Sequence, residues 1–200
     1  MIRVVLFDFG GVLAEEGFRE GLKAIAKGKS LNPEDFFNLS ADLVYQTGYI
    51  IGGCDEHSYW NAVRKNTGVK GNDQEFREEI LKRFKFRPEM IAVAERMKSS
   101  GLMVAILSDQ TNWLDELDQR IPFHHRFNYV FNSYHLKKTK RDSSIFRDIS
   151  SLLGVRPKEV LFVDDNMGNV KRAVGQGLRA IHFKGLSEFQ VEINPFDSPV

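Results

Sequence analysis

An aspartate followed closely by two glycines lies directly after an apolar run near the N-terminus. Asp8 follows Val4–Phe7, and Gly10 and Gly11 come two and three residues later. At the end of a buried strand, a carboxylate needs a cation or hydrogen-bond donors to offset its desolvation. The glycines allow a sharp turn and a close approach of the backbone to a ligand. Asp8 is therefore a candidate reaction centre, and a turn-forming or helix-capping aspartate is the simpler alternative.

A pair of aspartates follows another apolar run. Asp164 and Asp165 come directly after residues 160–163. Adjacent carboxylates repel each other, so one tends to keep its proton unless a cation is shared between them. Hard divalent cations with oxygen ligands, Mg²⁺ above all, relieve that repulsion. Helix capping explains one of these aspartates but not easily both. The pair therefore indicates a magnesium site.

Two further polar segments complete the set of candidate residues. Ser108 and Asp109 follow the apolar residues 102–107. A serine hydroxyl and the amides of the following turn can donate to phosphate oxygens, although such a pair also starts helices. The basic residues 137–141 form the second segment. Most of them fit a solvated loop, but one lysine at the mouth of the sheet would neutralise a carboxylate nucleophile and a phosphate together.

The order of apolar segments predicts an α/β fold. Continuous apolar runs fit strands buried on both faces of a parallel sheet, and they cover residues 4–7, 102–107, 129–131, 160–163 and 179–183. Helical spacing of apolar residues falls at 88–100, 142–153 and 169–176. This alternation implies a Rossmann-like, doubly wound parallel sheet with right-handed crossovers. Such a sheet brings the candidate residues to the rim where ligands bind.

Residues 15–85 interrupt the alternation. They contain helical patterns near residues 22–25, 33–43, 56–63 and 73–84, and no convincing buried strand. The segment is too long for a plain crossover. We therefore expect a helical cap at residues 15–85, inserted into a core formed by residues 1–14 and 86–200. The tail at residues 188–200 is expected to be loosely attached.

Composition excludes several classes of function. The net charge is +1, from 28 basic and 27 acidic residues, and this balance gives no electrostatic footprint for nucleic acid or an anionic membrane. The single cysteine, Cys54, cannot form an internal disulfide and fits a reducing compartment. No stretch has the ~20 apolar residues that span a bilayer, and no signal-peptide pattern is present. The expectation from composition is a soluble cytoplasmic protein.

Four segments resemble, in order and spacing, the four motifs of the haloacid dehalogenase (HAD) superfamily. They are VLFDFGGVL, AILSDQT, KTKRDSSIF and VLFVDDNMGNV. The chain is most similar to the phosphatase-like branch that carries a small helical cap after the first motif. The resemblance covers nearly the whole chain, although the inserted segment matches in position and length more than in sequence.

The resemblance implies a role for each candidate. Asp8 would attack phosphorus and form an aspartyl-phosphate that water hydrolyses. Ser108 would hold a phosphoryl oxygen, with Asp109 beside it in substrate binding, and Lys140 would neutralise the nucleophile and the transferring group. The implied cofactor is Mg²⁺, and the residues that would hold it are Asp8, Gly10 through its carbonyl, Asp164 and Asp165. The implied substrate is a small phosphorylated metabolite.

Three positions depart from the family pattern. Gly10 replaces a second aspartate that usually acts as general acid, a contribution worth about 10²–10⁴-fold. A branch with glycine there includes phosphatases, so the chain needs either a good leaving group or another acid. Asp109 replaces a frequent asparagine. Arg141 replaces the proline that commonly follows the motif III lysine, so Lys138 stays an alternative to Lys140.

The cap contains candidates for the missing acid and for the pocket wall. Glu15, Glu16 or His57 would supply the acid. Aromatic residues and a histidine would line the substrate pocket, although packing is the commoner use of such residues; they are Tyr45, Tyr49, His57, Tyr59 and Trp60.

Two other functions stay open. A 2-haloacid dehalogenase also uses an aspartate nucleophile and lacks the second aspartate. Its attack on carbon needs no metal, so the paired aspartates favour phosphoryl chemistry. A catalytically weak binding or regulatory protein with this fold is the other alternative, and Gly10 and Asp109 are the residues that support it.

Overall fold

Five parallel strands form one sheet in the order β3-β2-β1-β4-β5. The computed structural model describes residues 1–193. The strands are β1 (Val4–Phe7), β2 (Met103–Ser108), β3 (Tyr129–Asn132), β4 (Val160–Asp164) and β5 (Arg179–His182). Strands β2 and β3 extend the sheet on one side of β1, and strands β4 and β5 extend it on the other side. The expected doubly wound α/β sheet is confirmed, with each strand boundary within one residue of its prediction.

The central strand β1 lies between the two halves of the sheet. Phe7 pairs with Ile106 of β2 and with Val163 of β4. The backbone N–H of Asp8 continues this ladder by donating to the Val163 carbonyl at 2.8 Å. The carboxyl ends of β1 and β4 therefore meet at the point where the strand order reverses, which is the usual ligand site of such sheets.

The sheet is buried on both faces because alternate side chains enter two different hydrophobic clusters. Val5 and Phe7 belong to one cluster, and Val4 and Leu6 belong to the other. All four side chains are buried. This explains why the strand sequences are continuously apolar rather than alternating with polar residues.

Four α-helices follow β1 within residues 15–85 of the chain. They are α1 (Gly17–Gly28), α2 (Pro33–Gln46), α3 (Glu56–Thr67) and α4 (Asp73–Leu81), and we call them the cap helices. Helix α1 packs against both α2 and α4. Asn32, Asp55 and Asn72 begin α2, α3 and α4 by accepting backbone N–H groups with their side chains, as N-cap residues do.

Six further α-helices complete the described chain. They are α5 (Pro88–Ser99), α6 (Trp113–Arg120), α7 (Ser133–Leu136), α8 (Ile145–Leu152), α9 (Met167–Gly175) and α10 (Leu186–Ile193). In residues 1–193, no helix has both the length and the apolar character needed to cross a bilayer.

An aromatic cluster joins the cap helices to α6. The indole ring of Trp113 lies 6.0 Å from that of Trp60 and 5.7 Å from the ring of Tyr49, measured between centroids. The Tyr49 hydroxyl also donates to Oδ1 of Asn112 at 2.6 Å. The cap helices and helix α6, which packs beside the sheet, therefore share part of one hydrophobic core.

The segment after β5 is packed, which corrects part of the expectation of a loose tail. Phe189 of α10 is buried, and its ring meets that of Phe7 edge to face at 6.2 Å. Ile193 is buried as well. The spacing of these two residues, one helical turn apart, gives α10 an apolar face. The remainder of the predicted loose tail, residues 194–200, lies outside the described residues.

Candidate active site

Asp8 lies at the carboxyl end of β1 with both carboxylate oxygens engaged. Oδ1 accepts the backbone N–H of Phe9 at 2.7 Å. Oδ2 lies 2.7 Å from Nζ of Lys140. The side chain is buried but lines a cleft beneath the cap helices. The carboxylate thus has a fixed orientation and one face toward the cleft.

Lys140 is the lysine that reaches this site. Its side chain is only 2% exposed, and Nζ lies 2.7 Å from an oxygen of Asp8 and 2.7 Å from one of Asp164. Lys138 points elsewhere and donates to Ser144 and Asp148. Of the two lysines considered for motif III, the geometry favours Lys140.

The Lys140 loop is held by two further polar groups. The Lys140 N–H donates to the Asp109 carboxylate, with oxygens at 2.9 and 3.2 Å. The Lys140 carbonyl accepts from Nε of Arg172 at 2.7 Å. Asp109 lines the cleft, but its carboxylate is occupied in positioning the lysine. This arrangement explains how a carboxylate is accommodated beside a proposed phosphate site.

Asp164 and Asp165 have different surroundings. Asp164 is fully buried; it accepts the Asn166 N–H at 2.7 Å, the Asn169 amide at 3.0 Å and the Lys140 amine at 2.7 Å. The Asp165 carboxylate lines the cleft and makes no hydrogen bond to another residue among residues 1–193. Asp164 thus anchors the lysine, while Asp165 is free to bind a cation.

Three carboxylates converge as a metal site requires. Asp8, Asp164 and Asp165 each offer an oxygen, and these oxygens lie within 4.8 Å of one another. Gly10, whose carbonyl is the fourth predicted ligand, lines the same cleft. Oxygen donors of this kind, with one unpartnered carboxylate among them, fit Mg²⁺.

Burial and mutual repulsion perturb the acidic groups. Burial raises the pKa of Asp8 well above its usual range; Lys140 opposes this rise, and Asp164 and Asp165 add to it. Burial and the Asp164 charge raise the pKa of Asp165. For Lys140, burial alone would lower the pKa, but the carboxylates of Asp164 and Asp8 outweigh it and raise the pKa. A charged lysine between carboxylates is the state that we infer.

The cleft has a volume of about 410 Å³. Ser108 lies at its floor, is buried, and has a hydroxyl without a hydrogen-bond partner among residues 1–193. The predicted residues at the cleft are Asp8, Gly10, Ser108, Asp109, Lys140 and Asp165. Asp164 lies directly behind them. The structure therefore brings all the predicted site residues together.

Several residues that line the cleft were not predicted from the sequence. Asn166, the N-cap residue of α9, and Asn169 and Arg172 within α9 line the cleft. Their spacing of three residues puts polar side chains on one face of a helix that follows the aspartate pair, and this periodicity is the signal that identifies them. Arg172 also donates to Oδ1 of Asn169 at 2.5 Å, so it orients the amide that binds Asp164.

Two arginines at the cleft stack on aromatic rings of α2. The guanidinium carbon of Arg141 lies 3.4 Å from the Tyr45 ring centroid, and that of Arg19 lies 5.1 Å from the Phe37 ring centroid. Neither arginine has a carboxylate partner within residues 1–193. Both side chains are exposed. Their N–H groups are thus available to an anionic ligand.

The aromatic pocket candidates from the cap separate into two groups. Tyr45 lines the cleft. Tyr49, Tyr59 and Trp60 are instead fully buried in the cluster with Trp113, so they have the packing role expected as the commoner use of such residues and do not line the cleft. The prediction of His57 as a pocket residue was wrong, because its side chain is 69% exposed and binds Asp73. The three buried aromatic side chains pack between the cap helices and α6 and do not contact the cleft.

Among the candidates for the missing acid, only Glu16 lines the cleft that contains Asp8. Glu15 turns away and forms an ion pair with Arg87 at 3.1 Å. Glu16 lines the cleft, and a Cβ placed on Gly10 would lie 2.5 Å from its Oε1. Burial, with the Asp165 charge second, raises the pKa of Glu16 to about 7.

Solved structures share this fold. The HAD family enzyme BT-2542 of Bacteroides thetaiotaomicron has a TM-score of 0.77, with 21% identity over 96% of this chain and 98% of that chain. An L-2-haloacid dehalogenase of Xanthobacter autotrophicus with chloropropionic acid covalently bound has a TM-score of 0.69, with 18% identity over 99% of this chain and 84% of that chain. These identities establish similarity of fold alone.

Curated relatives match at low identity. Bifunctional epoxide hydrolase 2 of Rattus norvegicus is 25% identical over 203 residues, which is 90% of this chain and 36% of that protein. The Mus musculus protein of the same name is 28% identical over 211 residues, with the same coverage. This chain therefore spans about a third of the length of these relatives.

A family model described as haloacid dehalogenase-like hydrolase matches residues 2–173. This range includes all four sequence motifs and every strand except β5. The protein belongs to the haloacid dehalogenase-like hydrolases.

Proposed function

We propose that this hydrolase is a Mg²⁺-dependent phosphatase that cleaves a small phosphorylated metabolite through an aspartyl-phosphate at Asp8. The observation that carries the proposal is the pairing of the Asp8 carboxylate with the buried Lys140 amine beside a second, cleft-facing carboxylate, Asp165. Phosphoryl transfer depends mainly on positioning and charge neutralisation, and these residues would supply both.

Each residue of the floor has a proposed task. Asp8 attacks phosphorus, Lys140 compensates negative charge on the nucleophile and the phosphoryl group, and Ser108 donates to a phosphoryl oxygen. Asp109 and Arg172 hold the Lys140 loop through its backbone. Mg²⁺ bound by the three aspartates and the Gly10 carbonyl would neutralise phosphoryl charge and the repulsion among its ligands.

One solved relative supports the cofactor and the product class. The HAD family enzyme BT-2542 of Bacteroides thetaiotaomicron was crystallised in complex with magnesium and inorganic phosphate, and it shares this fold with a TM-score of 0.73. The three converging carboxylates of this chain fit the same metal. Magnesium is accordingly the cofactor that we propose.

The cleft supports a small anionic substrate. Its volume of about 410 Å³ suits a metabolite rather than a polymer. Arg19 and Arg141 line it and would attract a phosphate ester. The near-neutral net charge of +1 gives no support for a nucleic acid partner.

Hydrolysis of p-nitrophenyl phosphate tests the proposal. We expect phosphate release by the wild type with Mg²⁺, and a fall of at least about 10³-fold on chelation or in Asp8→Asn. Asp148→Asn is the matched control, because this carboxylate is exposed on α8 and lies outside the cleft. Activity that survives in Asp8→Asn would contradict the proposal.

The same preparation distinguishes the two alternative functions. The similarity to an L-2-haloacid dehalogenase makes 2-chloropropionate the appropriate second substrate. Chloride release without metal, together with no phosphate release, would replace the phosphatase by a dehalogenase. A folded protein inactive toward both substrates would favour a binding or regulatory role.

A further inference from the structure

The carboxyl group of Glu16 occupies the space that a side chain at position 10 would fill. A Cβ built on Gly10 lies 2.5 Å from Oε1 of Glu16 and at least 3.6 Å from its other neighbours. Glu16 therefore places an acid beside the glycine that follows Asp8 by two residues. The site lacks an aspartate at position 10 but does not lack a carboxyl group there.

The backbone around Glu16 is held in place. The Glu15 N–H donates to the Lys85 carbonyl at 2.8 Å, and the Glu15 side chain binds Arg87. Gly17 packs so closely on Phe84 that a Cβ there would lie 2.4 Å from the ring. Contacts on both sides of Glu16 thus fix its entry into α1 and direct its side chain into the cleft.

The Glu16 carboxyl group has no competing partner. It makes no hydrogen bond or ion pair within residues 1–193, whereas Glu15 pairs with Arg87. It also lies outside the group of three carboxylates that converge for a metal ion. A half-buried carboxyl group that lines a cleft without a partner is costly unless a ligand uses it.

We propose that Glu16 is a catalytic residue, the general acid for the leaving oxygen and then the general base for water. This role rests on the proposed phosphatase function. In the first step Asp8 bonds to phosphorus, the bond from phosphorus to the ester oxygen breaks, and that oxygen takes the Glu16 proton. The alcohol leaves, and aspartyl-phosphate and ionised Glu16 remain.

The second step restores both residues. Ionised Glu16 removes a proton from water as the water oxygen bonds to phosphorus, and the bond from phosphorus to Asp8 breaks. Inorganic phosphate leaves, Asp8 is again a carboxylate, and Glu16 is again protonated. The two steps sum to the hydrolysis of one phosphate ester by one water molecule.

The test compares two leaving groups in Glu16→Gln. A general acid matters most for an alkyl alcohol, which leaves poorly, and least for p-nitrophenolate, which leaves without a proton. We expect kcat/KM for an alkyl phosphate such as glycerol phosphate to fall by about 10²–10⁴-fold, and kcat/KM for p-nitrophenyl phosphate to fall by less than about tenfold. The ratio kcat/KM reports the first step, in which the leaving group departs.

The control is Glu15→Gln, which changes the neighbouring carboxylate that binds Arg87 outside the cleft. It should leave the ratio of the two kcat/KM values unchanged. Equal losses for both esters in Glu16→Gln, or no loss, would overturn the acid role while the phosphatase function stands. A raised Mg²⁺ requirement in Glu16→Gln would make Glu16 a metal ligand and would also overturn it.

A double variant separates chemistry from packing. Glu16→Ala removes the acid and opens the space beside position 10, and Gly10→Asp in that background returns a carboxyl group from the backbone side. We expect the double variant to recover at least about tenfold of the alkyl phosphate activity lost in Glu16→Ala. No recovery with a folded, Mg²⁺-responsive protein would count against the proposal. Wild-type inactivity toward both esters would overturn the phosphatase function, and this role with it.

Discussion

Lys140 shows at the scale of one residue how the candidate site is held together. A buried lysine is costly unless its charge is compensated, and here oxygens of Asp8 and Asp164 both lie 2.7 Å from Nζ. The same amine compensates two carboxylates that would otherwise repel each other. The lysine therefore serves folding and the proposed reaction at once.

Replacing Lys140 tests this double role. We expect Lys140→Met to lower the free energy of unfolding by about 3–5 kcal/mol, because Asp8 and Asp164 stay buried without their cation. Urea denaturation in the absence of metal measures the change. Lys138→Met is the matched control, and since its partner Asp148 is exposed, we expect a loss below about 1 kcal/mol. Equal losses in the two variants would refute the structural role of Lys140.

Arg141 is the residue for which we predict a binding effect without a catalytic one. Arg141→Gln keeps a polar, hydrogen-bonding side chain but removes the charge at the cleft. We expect KM for the phosphate ester to rise roughly tenfold with kcat changed little, as for a lost hydrogen bond to a charged group. Arg147→Gln, an exposed arginine of α8, should leave KM unchanged. A fall in kcat alone would place Arg141 in the chemical step instead.

The residues that strand ends position could be predicted from the sequence, whereas among the cap candidates the sequence could not single out the residue that reaches the site. Asp8, Ser108 and Asp164 follow apolar runs that pair in one sheet, so topology alone brings them together. Glu16 reaches the cleft only because α1 begins at Gly17, beside Phe84. No spacing in the sequence encodes that contact between distant segments.

At the scale of elements, buried strands were predictable, whereas the short helices α6 and α10 were not. A strand buried on both faces has a continuous apolar sequence, which no exposed element shares. Helix α6 presents Trp113, Leu114 and Leu117 to the core, and α10 presents Phe189 and Ile193. Two or three apolar residues give too weak a period to identify a helix of eight residues.

The turn after β1 gives a prediction at this scale. Gly11 has φ of +82°, and a Cβ there would lie 2.1 Å from Oδ2 of Asp165. We expect Gly11→Ala to displace that carboxylate and to raise the Mg²⁺ concentration for half-maximal activity by about 10–100-fold. Magnesium titration of phosphatase activity measures the shift.

Gly101→Ala provides the control for backbone strain. Gly101 has φ of +90°, but a Cβ there has no heavy atom within 4 Å. Both variants should lose about 1–2 kcal/mol of stability from the left-handed conformation. Only Gly11→Ala should change the magnesium requirement, and an equal shift in Gly101→Ala would contradict the assignment of Asp165 to the metal.

For the whole molecule, the cap helices and the sheet share a core rather than meeting at a polar interface. Trp113 of α6 packs among Tyr49, Tyr59 and Trp60. The Ser133 hydroxyl adds a hydrogen bond to the Ile50 carbonyl at 2.8 Å. We therefore expect a substrate to enter the cleft without separation of the cap helices from α6.

This shared core predicts cooperative unfolding. Tryptophan fluorescence, which reports Trp60 and Trp113, and far-ultraviolet circular dichroism should give one coincident urea transition. Trp113→Ala should lower the free energy of unfolding by about 3–5 kcal/mol, because the indole fills the centre of the aromatic cluster. Two separate transitions in the wild type would show that cap and core are independent.

The central claim is that Asp8 forms a covalent bond to phosphorus. Rapid acid quenching of the Mg²⁺-loaded enzyme during turnover of p-nitrophenyl phosphate, followed by mass spectrometry of its peptides, tests it directly. We predict a phosphoryl adduct on the peptide that contains Asp8, and no adduct in Asp8→Asn. Steady turnover with no adduct in the wild type, and undiminished turnover in Asp8→Asn, would contradict the account.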